Sequence, residues 1–187
     1  MRQHFGFDSL PAIERPVVTI GSFDGVHIGH AALLGRVREE AERVGGHSVV
    51  VTFSPHPRQV LPRGGDFKLI TSDERKAELI ADLGIDELVI VEFNQEFAAL
   101  SSEEFVRDFL VAKLGIHTLV VGYNHRFGHD RDVADNHFEL LAERYGFRVV
   151  RAEALRKDGG KVSSSIIRNL LATGNTTEAE QLLGHKL

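Results

Sequence analysis

The sequence predicts an α/β fold: a five-stranded, mainly parallel sheet with helices on both faces and a small helical C-terminal tail. Two observations lead there. Five short runs rich in Val and Ile recur along the chain, nearly continuous in apolar character, as strands covered on both faces must be. Segments with helical spacing lie between them, which implies right-handed βαβ crossovers and a parallel sheet.

The first strand is expected over 16–23 (PVVTIGSF). A helix follows over 30–44, with Leu33, Leu34, Val37 and Ala41 on one side. The second strand is 47–53 (HSVVVTF), and 54–68, with three prolines and two glycines, reads as a loop. A helix over 72–83 opens at Thr71 or Ser72; Thr71 followed by Glu74 fits a capping box. The third strand is 87–93, and Ser101 with Glu104 repeats the capping device before a helix over 102–114. Phe93, Phe97 and Phe105 are assigned to the core. The fourth strand, 117–123, leads to a loop over 124–134 and a helix over 135–145. The fifth strand is 147–153, "RKDGGK" (156–161) is a tight turn, and helices over 164–173 and 176–183 complete a single domain, 1–187.

Composition narrows the function classes. A net charge of −5 at pH 7 excludes electrostatic binding of nucleic acid by the whole chain. No run approaches the ~20 apolar residues that span a bilayer, and the N-terminus lacks a signal peptide's apolar segment. There are no cysteines, so disulfides and thiolate metal sites are excluded; a reducing, cytoplasmic setting is expected.

Four segments carry chemistry. In "GSFDGVHIGH" (21–30) a strand ends, a glycine turn follows and a helix starts near Gly29. Free helix N–H groups and the positive dipole end form an anion site. His27 and His30 add donors, and a protonated imidazole would stabilise developing negative charge. The spacing is neither the dinucleotide fingerprint nor the phosphate loop ending in Gly-Lys. A structural zinc pair is the other reading of the histidines, but no further ligand stands nearby. In "KVSSSIIRNLLATG" (161–174), Ser163, Ser164 and Ser165 stand where a helix begins, with Arg168 one turn later on the same face. Taken alone, these are a serine cap and a solvated arginine; beside the first motif they read as a polyphosphate grip. In "TFSPHPRQVL" (52–61), Phe53, Pro55 and Pro57 could wall a flat ring or form an ordinary rigid loop. In "VGYNHRFGHDRD" (121–132), Asn124 and Arg126 offer donors and Phe127 a stacking face. Asp130, Asp132 and Asp135 lack the pattern of a dedicated calcium loop and are taken as solvent-facing. In an open parallel sheet the segments that follow strands, 21–30, 54–58 and 122–131, should converge at the carboxyl ends of the strands.

Together and in this order, the segments resemble the adenylyltransferase domain of the bacterial bifunctional riboflavin kinase/FMN adenylyltransferase (FAD synthetase) family. "GSFDGVHIGH" is similar to its His-x-Gly-His motif, and "TFSPHP", "VVGYNHRFG" and "VSSSIIRNLL" to its later motifs. The resemblance covers about residues 14–184. It implies a Rossmann-like nucleotidyltransferase fold and the reaction ATP + FMN giving FAD and pyrophosphate. His27, His30 and Arg168 would be catalytic. Gly21, Phe23, Asp24, Gly29, Ser163, Ser164 and Ser165 would hold ATP, with Mg²⁺ screening the triphosphate. Phe53, Pro55, Pro57, Asn124, Arg126 and Phe127 would serve the flavin and its phosphate, and no metal ligand is assigned to the protein. Three departures stand out: Ser165 replaces a usual threonine, His125 a usual phenylalanine, and Asp132, Val133 and Ala134 stand where a glycine is common. The family's riboflavin kinase domain is expected to be absent, leaving small-molecule substrates and neither nucleic acid nor membrane as partners. The alternatives are another small-molecule nucleotidyltransferase (a cytidylyltransferase, or an adenylyltransferase for pantetheine phosphate or nicotinamide mononucleotide) and a non-catalytic flavin- or nucleotide-binding module.

Overall fold

The computed structural model describes residues 1–61, 67–122, 136–153, 155–157 and 160–187. Its core is a six-stranded parallel sheet in the order β1-β4-β3-β2-β5-β6. The strands are β1 (Arg2–Phe5), β2 (Val17–Ile20), β3 (Ser48–Ser54), β4 (Glu87–Glu92), β5 (Thr118–Gly122) and β6 (Arg148–Ala152). Four of the five expected strands lie within about two residues of their expected places at each end; the other, β2, stops at Ile20 because the chain turns at Gly21.

The sixth strand corrects the expected five. β1, "RQHF", has no apolar run, so nothing local marks it as a strand. It gains its place by main-chain pairing along β4: the Arg2 amide donates to the Asp86 carbonyl and the Gly6 amide to the Ile90 carbonyl, both at 2.8 Å. Glu87, fully buried at the start of β4, then draws in side chains. His4 Nε2 lies 2.8 Å from its carboxylate, His47 Nδ1 lies 3.1 Å away, and Arg2 forms an ion pair with it.

Alternation along the strands loads both faces of the sheet. Val18, Ile20, Val49, Val51, Val89 and Val121 meet Phe105, Leu110, Phe138 and Leu141 on one face. On the other, Val50 and Leu88 meet Leu34, Ala77 and Ile80, and Val17 and Val120 meet Val37 and Ala41. The helices responsible are α1 (Ile28–Val44), α3 (Asp73–Asp82), α5 (Ser102–Phe105) with its π-helical continuation (Val106–Val111), and α6 (His137–Tyr145). Short α2 (Pro57–Val60) and α4 (Gln95–Ala98) were not expected, and α2 lies where a loop was read. Its start is local chemistry: Pro57 occupies the first turn, His56 Nδ1 accepts the Arg58 amide, and Gln59 Oε1 accepts the His56 amide.

Two expected elements differ in detail. Ser72, not Thr71, caps α3 by accepting the Arg75 amide at 3.2 Å; the Thr71 hydroxyl instead accepts the Gly25 amide at 3.1 Å. The helix after Ser101 is α-helical only over its first turn and then π-helical over Val106–Val111. The Ser101–Glu104 capping box is present as read. Phe93, Phe97 and Phe105 do pack with the core. The tight turn is spanned by a two-stranded ribbon, β7 (Arg156–Lys157) and β8 (Gly160–Lys161). The tail, α7 (Ser164–Ala172) and α8 (Thr176–Leu183), has its own small core of Ile167, Ala179 and Leu183, packed on Ile70.

Candidate active site

β2 is flanked by β3 on one side and by the later β5 on the other, so the chain reverses its direction of winding there. Such a switch point opens a crevice beyond the carboxyl ends of the strands. A cavity of about 410 Å³ lies there, lined by Ser22, His27, His30, His56, Arg58, Val162, Ser163, Ser164, Ser165 and Arg168. The segments after β2 and β3 thus converge as expected, and the start of α7 joins them. Asn124, Arg126 and Phe127, with Asp130, Asp132 and Asp135, lie outside the described residues.

The first wall is the mouth of α1. His27 is its N-cap and accepts the His30 amide at Nδ1, 3.2 Å away. The proton of the neutral ring therefore sits on Nε2. The Ile28 and Gly29 amides, one turn from the helix start, have no intrahelical acceptor by position. The two imidazoles stack, centroids 3.6 Å apart and 12° from parallel, and Phe23 meets His30 edge-on at 5.1 Å. Gly29 makes the stack possible: a Cβ there would stand 3.2 Å from the His27 ring. A Cβ at Gly21 would similarly press on the Phe23 ring at 3.1 Å. Burial pushes His27 down to about 4, against the opposing pull of Asp24. That corrects the expectation of a protonated imidazole at His27: at neutral pH this ring is an uncharged donor.

The turn feeding α1 is strained. Phe23 (φ 48°), Gly25 (φ 83°) and Val26 (φ 37°) all lie in the left-handed region, where a β-branched residue is a rare guest. Asp24 explains how the turn is held. It is 2 % exposed and does not line the cavity. One carboxylate oxygen accepts the Ile70 and Thr71 amides at 2.9 and 3.2 Å; the other pairs with Arg168 Nη2 at 2.8 Å. Its carbonyl accepts the Ser164 hydroxyl at 3.0 Å. His185 Nε2 lies 2.9 Å from the Gly25 carbonyl.

The second wall is the mouth of α7. Ser163 caps the helix, Ser164 is tied to the strained turn, and Ser165 is exposed to the cavity. Arg168, besides its pair with Asp24, donates from Nε to the Lys68 carbonyl at 3.1 Å and lies over the Phe67 ring at 4.6 Å.

The third wall follows β3. Phe53 is a core residue, edge-on to Phe93 and tilted against Phe97, and lines no part of the cavity; Pro55 and Pro57 are also absent from its lining. Their neighbours line it instead. His56, 8 % exposed, packs on Phe67 at 4.6 Å, and burial pushes it down to about 4. Arg58 lies over the same ring at 4.7 Å. Sequence reasoning missed Ser22, His56, Arg58 and Val162 as lining residues, and Phe67 behind them. A histidine before a proline where a strand hands over to a helix was the available signal for His56. Among the described residues no cluster of three His, Cys, Asp or Glu side chains forms a metal site. No helix among them is long and apolar enough to cross a membrane.

Comparison with known proteins follows the same line. The bifunctional riboflavin kinase/FMN adenylyltransferase of Pseudomonas fluorescens is 40% identical over 169 residues, covering 90% of this chain and 54% of that protein. The proteins of that name from Escherichia coli (strain K12) and Listeria monocytogenes are each 35% identical, with the same coverage. The chain thus spans about half the length of these relatives. A solved structure described as a macrolide-efflux protein from Streptococcus pneumoniae superposes with a TM-score of 0.86 at 26% identity, over 99% of this chain and 62% of that one. The model of the FAD synthetase family matches residues 10–166, and with this the chain belongs to the FAD synthetase family.

Proposed function

We propose that this chain transfers AMP from MgATP to FMN, giving FAD and pyrophosphate. The observation that carries this is the convergence of two helix N-termini, α1 and α7, with His27, His30, Ser164, Ser165 and Arg168 around one cavity. Paired helix mouths with neutral donors and one clamped arginine suit a triphosphate.

The chemistry needs little from titratable groups. An oxygen of the FMN phosphate attacks the α-phosphorus as the bond from that phosphorus to the β-phosphate oxygen breaks. The nucleophile is already ionised, since a phosphate monoester loses its second proton near pH ~6. Pyrophosphate leaves as an anion and needs no proton. A neutral imidazole at His27 is therefore adequate: His27 Nε2–H, with His30 beside it, donates to the charge that builds on the α-phosphate. Ser164, Ser165 and Arg168 hold the β- and γ-phosphates. Gly21, Phe23, Asp24, Gly29 and Ser163 shape or brace the ATP side from behind this surface. Mg²⁺ enters as part of the substrate; it keeps several waters and binds mainly through phosphates, so a dedicated carboxylate cage is not required. The flavin is assigned to Pro55 and Pro57 backed by Phe53, with Asn124, Arg126 and Phe127 completing its site. A riboflavin kinase domain, named in the relatives, is the partner we assign, and the cytoplasm the compartment.

The test is FAD formation from FMN and MgATP by the purified chain, with pyrophosphate measured alongside and CTP, pantetheine phosphate and nicotinamide mononucleotide as controls. FAD and pyrophosphate in equal amounts are expected. Pyrophosphate released only with another acceptor or nucleotide would overturn the flavin assignment and keep the nucleotidyl transfer. Ligand binding without any pyrophosphate would leave a binding module.

A further inference from the structure

The cavity has two guanidinium groups and they are not equivalent. Arg168 is already compensated: Asp24 Oδ2 lies 2.8 Å from its Nη2 and the Lys68 carbonyl 3.1 Å from its Nε. Arg168 and Asp24 together carry no net charge. His27 and His56, both pushed down to about 4, add none at neutral pH. Arg58 forms no ion pair among the described residues. A MgATP triphosphate brings about two net negative charges, and Arg58 is a guanidinium of this lining that no described carboxylate offsets.

Its placement is built rather than incidental. Pro57 and the His56–Gln59 capping box set the direction of α2, and Arg58 follows directly. Its guanidinium lies 4.7 Å from the centroid of Phe67, and that of Arg168 lies 4.6 Å from the same centroid. The two guanidinium carbons are therefore at most about 9 Å apart, with one ring holding both by cation–π attraction. Two like charges steered to one ring repel unless an anion lies between or beside them. A chain of linked phosphates has the length and charge to touch both.

We infer that Arg58, braced on Phe67 beside Arg168, is a second polyphosphate-gripping residue that binds the terminal phosphates of ATP and the departing pyrophosphate. This rests on the reading of the cavity as a triphosphate site. Arg58 acts on affinity for the polyphosphate and on the salt dependence of that affinity, and leaves the acceptor's affinity alone. Lysine keeps the charge but loses the planar stack and the forked donors.

The experiment is binding of inorganic tripolyphosphate with Mg²⁺ by calorimetry to the full chain, the Arg58→Ala variant and the Arg58→Lys variant, at low and high salt. KM for MgATP and for FMN is measured on the same samples. Arg58→Ala is expected to weaken tripolyphosphate about tenfold at low salt, and less at high salt. It should raise KM for MgATP by a similar factor or more, with KM for FMN within about twofold; Arg58→Lys should fall between. Unchanged tripolyphosphate binding in Arg58→Ala would overturn the inference and leave the triphosphate site standing. A raised KM for FMN with unchanged KM for MgATP would overturn it too, placing Arg58 on the acceptor side. Failure of the unaltered chain to bind tripolyphosphate or MgATP would remove the triphosphate reading itself and Arg58's role with it. Failure to form FAD with tripolyphosphate binding intact would affect only the acceptor.

Discussion

His27 does two jobs with two nitrogens, and they can be separated. Nδ1 caps α1 by accepting the His30 amide, which leaves the proton of the neutral ring on Nε2, the donor we propose for substrate. His27→Ala should lose both, with about 1 kcal/mol of stability gone with the cap. Turnover should fall about 100-fold or more, as when one preorganised donor is removed. Asparagine is a good cap but has no donor at the Nε2 position, so His27→Asn should keep its stability and lose turnover similarly. Thermal melts beside FAD assays check both; near-normal turnover in His27→Asn would show that Nε2 is idle. Asp24 is the other decisive residue. Asp24→Ala leaves Arg168 and two loop amides without their acceptor, and a loss of about 3 kcal/mol in urea unfolding is expected. The histidines also predict a pH response. Burial lowers His27 and His56 from the usual 6.5 to about 4, so the folded chain binds fewer protons than the unfolded chain between those values. Stability should be full above pH 6.5 and decline as pH falls toward 4. In NMR titrations neither ring should titrate near 6.5.

Among the elements, the edge strand β1 and the strained turn show what neighbours must supply. β1 is held through Glu87. Burial would raise this carboxyl, but hydrogen bonds from His4, Arg2 and His47 outweigh it and hold it below the usual 4.5. A carboxyl depressed in the folded state contributes stability that is full above 4.5 and lost as pH falls through its lowered value. Glu87→Gln should therefore be less stable at neutral pH and show a flatter acid limb. An unchanged acid limb would mean that the cluster contributes nothing to it. At the other end of the sheet, the turn at 23–26 holds its left-handed residues because Asp24, Thr71, Ser164 and His185 each hold a part of it. Strain of this kind lasts only where surroundings over-determine it.

For the whole molecule, the site joins segments that meet only through the fold: the β2–α1 turn, the β3–α2 turn, Phe67–Thr71 and the α7 mouth. A ligand bridging them should stabilise the chain globally. MgATP at about 100 times its Kd adds about 2.7 kcal/mol, which for a chain of this size raises Tm by about 5 °C or more. Chelating Mg²⁺ with EDTA should remove most of that shift and abolish FAD formation. A full shift with ATP in EDTA would show that the metal is not part of the bound substrate.

What the sequence determined by itself is local. Apolar runs separated by helical periods marked five strands and the crossover helices, because each pattern is set by neighbours along the chain. Histidine, glycine and serine marked the mouths of α1 and α7, which line one cavity, for the same reason: capping and free amides are properties of a helix start. Tertiary structure decided the rest. "RQHF" became a strand only because β4 offered an open edge and Glu87 a buried charge. Asp24 and Arg168, 144 positions apart, became a pair, with the Asp24 carboxylate buried behind the cavity. Phe53 went to the core while His56 and Arg58 took the wall, and Phe67 drew two arginines to one ring. Burial alone made His27 neutral. Which distant groups meet, and how much water they keep, depends on packing across the whole sheet, and no local spacing records it.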